Sequence, residues 1–241
     1  METKKQQPTQ KPRSKGISAF LVVIGCAIVA HLFFYLVCGA DSNFDEKGRP
    51  LAGNWFGILF EGGFVIPIVI TLLLTVLVLS VERFFALNRA SGKGSTAKFV
   101  MNAKAKLEAG DIAGASKLCD EQKGSVANIL KAGLIRYADV EKIADAHNDE
   151  KAAMIQKEIE EATTLELPYL QQNLSVIATI STLGTLMGLF GTVLGMIKSF
   201  NAMGQEGAPD STALAIGISE ALMNTAMGIG TGACAIISYS Y

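Results

Sequence analysis

The chain has 241 residues, half of them hydrophobic, and a formal charge of −1. Four long apolar runs mark it as an all-α integral membrane protein, because each is long enough to cross a bilayer as helix. Cys26, Cys38, Cys119 and Cys234 show no C-x-x-C or Cys/His spacing, so they read as small hydrophobes, and no metal, cofactor or nucleic-acid partner is expected.

In chain order, residues 1–16 carry Lys4, Lys5, Lys11, Arg13 and Lys15 with Pro8 and Pro12, the composition of a disordered basic tail. Residues 17–38 form the first apolar run, about 33 Å long as helix. A basic start before an apolar run also describes a signal peptide, with Cys38-Gly-Ala40 as cleavage site. The run is longer than such a peptide carries, and Val37 argues against a lipoprotein signal, so an uncleaved span is expected. His31 inside it is either a proton-relay group or a neutral histidine bonded to a neighbouring helix, and the second is expected.

Residues 39–63 are polar and then aromatic, with Trp55 and Phe56 placed as interfacial anchors. Residues 64–87 read as a second, lipid-facing span with Pro67 in its first turn and no ionisable group before Glu82-Arg83, an ion pair expected at the headgroups. Residues 88–170 read as a soluble helical domain. Ser91-Gly-Lys-Gly-Ser95 lacks the spacing of a phosphate loop and is a linker. Amphipathic helices are predicted over 97–109, 111–121 and 126–137, broken at Gly110 and Gly124, with Asp111 as an N-cap. An acidic helix follows over 152–166, its charges forming a solvated surface, and Pro168 is expected to kink the approach to the third span.

The tail holds five Lys/Arg, the 39–63 loop two, residues 83–170 thirteen and the 201–210 turn none. Basic residues accumulate on the cytoplasmic side, so both termini are expected there and the two smaller connections outside.

The last two spans, 171–200 and 211–241, carry the unusual chemistry. In the first, Ser181, Thr185, Gly188, Thr192, Gly195 and Ser199 recur every three or four residues as one stripe, with Gly184 and Gly191 beside it. In the second, Gly217, Glu220, Asn224, Gly228 and Thr231 keep the same spacing, with Thr225 alongside. Small-residue stripes let helix backbones approach closely in lipid. Glu220 lies about 14 Å along its helix, near the middle of a ~30 Å core, and Thr192 reaches a similar depth. A charged group there costs about 2.5–3.5 kcal/mol on insertion scales, so Glu220 is expected to face protein or water.

Leu189-Phe-Gly-Thr192-Val-Leu-Gly-Met-Ile197, followed by Ile218-Ser-Glu220-Ala-Leu-Met-Asn-Thr225-Ala-Met-Gly228, resembles the paired pore helices of the ExbB/TolQ/MotA proton-channel family, on the ExbB side. Glu82-Arg83-Phe84, Leu107-Glu-Ala-Gly-Asp111 and Ile129-Leu-Lys-Ala-Gly133 also look like family segments. The resemblance covers roughly residues 64–241, so the span at 17–38 stands outside a three-span core. It implies that Thr192, Glu220 and Thr225 occupy polar pore positions of a homopentamer. That pore would hold a dimer of single-span, ExbD-like partners, whose aspartate shuttles protons, and would drive a TonB-like transducer from a bacterial inner membrane. Asn224, Thr185, Ser181, Ser199 and Thr231 join the candidate proton path, and Gly184, Gly188, Gly191, Gly195, Gly217 and Gly228 the packing seams.

The chain departs from the family in three places. Gly184-Thr185 stands where the family reads Ala-Pro, Cys234 stands near a usual late proline, and Asn224 replaces a commonly small residue. The family usually continues as a cytoplasmic helical tail past the position of Tyr241, so a short or truncated chain is expected. The expected function is a proton-channel subunit. TolQ-type and flagellar-type stators are the alternatives within the family. A passive scaffold in which Glu220 pairs with Asn224 is the alternative outside it. No nucleophile–base constellation suggests an enzyme.

Overall fold

A computed structural model describes residues 18–46, 48–51, 53–143, 147–204 and 211–240. The basic tail, residues 205–210 of the last connection and Tyr241 lie outside the described residues. The architecture is all-α, and four segments are long and apolar enough to cross a membrane. Two compact units divide the chain, one formed by residues 1–77 with 176–241 and the other by residues 78–175.

In the first unit, α1 (Ala19–Phe33) runs into a π-turn, Phe34–Cys38. The last carbonyls of a helix lack intrahelical partners. Here Asn43 Nδ2 donates to Val37 O at 2.6 Å and to Cys38 O at 3.1 Å. Asn54 caps α2 (Trp55–Glu61) by accepting from the Phe56 and Gly57 amides, and its Nδ2 donates to Asn43 Oδ1 at 2.9 Å. Two asparagines thus tie the end of one helix to the start of the next. Trp55 and Phe56 are exposed on α2, and Phe60 stacks on Phe34 with centroids 5.0 Å apart. His31 is exposed and pairs with Ala27 O of its own helix at 2.8 Å, and among the described residues it has no bond to a neighbouring helix.

A Gly62-Gly63 turn leads into α3 (Val65–Ser91), with Gly63 at φ +70°, a conformation that glycine adopts without steric cost. The first part of α3 is not simply lipid-facing. Ile66, Val69, Thr75 and Val76 are fully buried, and Ile66 and Ile70 pack with Ala30, Phe34, Cys38, Met223 and Met227. Thr71 and Thr75 meet this apolar surface by bonding back to Pro67 O and Thr71 O.

The remaining spans of this unit are α8 (Leu174–Met203) and α9 (Ser211–Ser240), so residues 201–203 are helical where a turn was expected. Gly184, Gly188, Gly191 and Gly195 are buried along α8 and face Gly217, Ala221, Asn224, Gly228 and Thr231 of α9. A Cβ on Gly228 would lie 2.6 Å from Gly188 Cα and 2.7 Å from Gly184 O. Backbone meets backbone there, with no flexible side chain to yield.

The second unit contains the end of α3 and four helices, α4 (Thr96–Glu108), α5 (Ile112–Gln122), α6 (Ser125–Val140) and α7 (Asn148–Gln171). Asp111 caps α5, accepting from Gly114 N at 2.8 Å, while Lys106 donates to it at 2.8 Å. These two bonds, Lys106 first, hold its carboxyl below the usual range. Phe99, Ala103, Ala115, Cys119, Ala127 and Leu134 form the core. Arg83 is buried, forks onto both Glu82 oxygens and donates to Tyr169 O at 3.2 Å, so this pair joins helices within the unit. The helix break falls at Gln172-Asn173 and not at Pro168, which sits inside α7. Asn173 takes φ +63°, which asparagine tolerates better than most residues, and its side chain donates to Glu82.

The seam makes a direct demand on volume. Gly228→Ala is expected to destabilise the protein by about 1–3 kcal/mol, the usual cost of overpacking. Gly230→Ala, two residues on with nothing within 4 Å of an added Cβ, is expected to be neutral. Thermal unfolding of both variants in the same detergent checks the contrast.

Candidate functional site

The polar groups of α8 and α9 are distributed by the rotation that the glycine seam imposes. Thr192 and Lys198 are six residues apart on α8 and point about 120° apart, at 3.6 residues per turn. Glu220 and Thr225, five apart on α9, diverge by about 140°. With Gly188, Gly191 and Gly195 between the helices, one polar set falls on each flank of the seam.

On one flank the Thr192 and Thr225 hydroxyls bond each other. Thr192 Oγ1 also lies 3.1 Å from Gly188 O and 3.4 Å from Ala221 O, and Thr225 Oγ1 is 3.2 Å from Ala221 O. A hydroxyl donates one proton and accepts through its lone pairs. One threonine therefore donates across the pair while the other donates to a backbone carbonyl, and the roles can reverse. Both residues are half-buried.

On the other flank Glu220 is buried and its Oε2 accepts from Lys198 Nζ at 2.7 Å. The lysine side chain is 64% exposed on the chain and the glutamate side chain 9%, so the carboxylate is enclosed by the protein and the ammonium is not. Glu220 also meets the turn before α3, where a Cβ on Gly63 would stand 2.6 Å from Oε1. Asn224, fully buried one turn on, does not pair with Glu220 but donates through Nδ2 to Gly62 O at 2.9 Å. Its Oδ1 is buried with no hydrogen-bond partner among the described residues. Nearby Glu61, at the end of α2, has its carboxyl pushed up by burial and then by the charge of Glu220.

The other sequence candidates sit elsewhere. Ser199 is buried in the seam and reaches Gly195 O and Leu214 O, linking the two helices. Ser181, Thr185 and Thr231 bond back to Ala178 O, Ser181 O and Met227 O of their own helices. The hydroxyls of α8 therefore do not run as one hydrogen-bonded line to Glu220. Lys198, Glu61 and the Gly62-Gly63 turn were not singled out from sequence. A lysine inside an apolar run was a visible signal, but its partner lies on another helix, where spacing along the chain gives no guidance.

The sequence profile of the MotA/TolQ/ExbB proton channel family matches residues 121–241. Among curated proteins, the ExbB-like protein 3 of Synechocystis sp., named for biopolymer transport, is 42% identical over 30% of this chain and 35% of its own length. The Tol-Pal system protein TolQ of Pseudomonas aeruginosa is 28% identical over 48% of this chain and 50% of its own. The biopolymer transport protein ExbB of Salmonella typhimurium is 27% identical over 56% of each. The chain thus spans about a third to just over half of these relatives.

Glu61 supplies a pH signature. Its raised folded-state affinity means that the native chain holds a proton which the unfolded chain releases above about pH 4.3. Stability is thus expected to fall as pH rises from there through the raised value. Glu61→Gln is expected to flatten that slope and to exceed the wild type above the window. Unfolding midpoints in detergent from about pH 4 to 8 check this, and parallel curves would remove the assigned coupling.

Proposed function

Because the chain belongs to the MotA/TolQ/ExbB proton channel family, we propose that it is the proton-conducting subunit of an energy-transducing complex in a bacterial inner membrane. Copies of the chain, a pentamer by the family resemblance, surround a central axis with α8 and α9 turned toward it. Both termini lie in the cytoplasm, following the distribution of basic residues. A dimer of ExbD-like single-span helices occupies the axis, and a TonB-like transducer carries the work to uptake across the outer membrane.

The observation that supports this reading best is the Thr192–Thr225 pair with its surroundings. Leu189, Met196, Leu222 and Ile229 are exposed apolar side chains on these helices, and the hydroxyl pair lies among them as a polar spot. An apolar helix bearing one carboxylate suits that flank. The partner's carboxylate would exchange a proton with groups that both donate and accept. Each proton contributes about 2.3 kcal/mol per 100 mV, so one mechanical stroke would take several. A TolQ-type role is the second reading, favoured by the Pseudomonas aeruginosa relative. The single-span protein that co-purifies distinguishes the two.

Glu220→Ala and Thr192→Val are each expected to reduce proton-driven uptake to background in cells expressing the chain with its neighbouring gene products, with assembly and membrane level unchanged. Full uptake in both variants would leave these helices a packing role only.

A further inference from the structure

The Gly62-Gly63 turn rests on α9, and its composition sets a physical problem. Gly63 takes φ +70°, and a Cβ there would stand 2.6 Å from Glu220 Oε1, so only glycine fits. Two successive glycines also give the chain its greatest backbone freedom, so the turn is not held by its own conformation. From α9 it receives a hydrogen bond, Asn224 Nδ2 to Gly62 O at 2.9 Å.

The rest of what fixes it comes from the residues before it. Gly63 N donates to Phe60 O at 3.1 Å. The Phe60 ring stacks on Phe34 at the end of the first span and meets Phe44 edge-on, with centroids 5.6 Å apart. A Cβ on Gly39 would lie 2.7 Å from Phe60 Cε2, so the ring is wedged against main chain as well. The other end of α2 is clasped by the Asn54–Asn43 bond, and Asn43, itself buried, holds the carbonyls of Val37 and Cys38. Met223 and Met227 of α9 pack against the apolar cluster that contains Phe34, as Phe60 does. All of these contacts lie within the first unit.

We propose that the first span and α2 form a brace that seats the Gly62-Gly63 turn on Glu220 and Asn224, with Asn43, Asn54 and Phe60 as positioning residues of the proton site. The family profile covers residues 121–241, so that match assigns no role to this segment. The proposal rests on the reading of Glu220 as part of the proton path and adds the element that covers it. The brace supplies the order that two glycines lack, and the glycines allow the close approach to Glu220 that a side chain would prevent. Asn54 serves twice, since its Oδ1 caps α2 while its Nδ2 makes the clasp. Serine at this position would keep a cap and lose the clasp, which separates helix stability from bracing.

The test is thiol labelling of the full-length chain in lipid nanodiscs, with its native cysteines replaced and Asn224→Cys as the probe beneath the turn. The expected rate is low with Asn54 in place. It is expected to be about five- to tenfold higher in Asn54→Ser, the shift in an opening equilibrium that loss of one hydrogen bond produces. Phe60→Leu is expected to raise it as well, and Phe60→Tyr, which keeps the stacked ring, to leave it low. Thr192→Cys, on the other flank of the seam, is expected to label at the same rate in every background, which a general loosening of the fold would not allow. Should Asn54→Ser fail to fold, the contrast between Phe60→Leu and Phe60→Tyr decides. In cells, Asn54→Ser with the native cysteines is expected to lower proton-driven uptake severalfold at unchanged membrane level. Unchanged labelling at 224, a parallel rise at 192, or full uptake in a chain whose turn has opened would overturn the proposal. The uptake assay on Glu220→Ala is separate: retained uptake there would remove Glu220 from the proton path, while the labelling contrast would still report the brace.

Discussion

The close approach of α8 and α9 is the constraint on which the membrane unit depends. Lipid tails are as apolar as leucine, so burial of hydrocarbon gives two helices little reason to associate, and backbone proximity must supply the attraction. Gly188 and Gly228 provide it by bringing main chain against main chain. Once they meet, neither helix can rotate without driving a side chain into the other's backbone. Rotation is thereby fixed, and with it the direction of every polar group on both spans.

That rotation has a chemical consequence. Thr192 and Thr225 come together on one flank, where a pair of hydroxyls stands among exposed apolar residues. Glu220 is carried to the other flank, against Lys198 and the turn between α2 and α3. Two polar devices are kept apart by a stripe with no titratable side chain. A proton passing between them needs a group that the seam does not supply, which is the place that the proposed partner carboxylate would take.

Much of this was legible in the sequence. Four apolar runs gave the spans, the spacing of Gly184, Gly188, Gly191 and Gly195 gave the seam, and a carboxyl inside an apolar helix singled out Glu220. What spacing could not give was who faces whom across helices. Lys198 and Glu220 are 22 residues apart, and Asn224 and Gly62 162 apart, so only the assembled register pairs them. The buried face of α3 was hidden for a related reason, since Val, Ile and Leu look the same to lipid as to protein. The break at Asn173 was masked by Pro168, which removes one backbone donor from the last turns of α7 and yet sits inside the helix. Likewise His31 satisfied itself on its own helix, a bond that needs no neighbour.

The most direct test of this arrangement is the reactivity of single cysteines toward a small, charged, water-soluble thiol reagent. Cys26, Cys38, Cys119 and Cys234 are free thiols and would first be replaced. Thr192→Cys and Thr225→Cys would then be compared with Asn224→Cys in the assembled membrane complex. The account predicts that positions 192 and 225 react, and lose that reactivity when a single-span partner is bound, while position 224 stays protected throughout. Rapid labelling at 224 with protection at 192 and 225 would reverse the two flanks and contradict it.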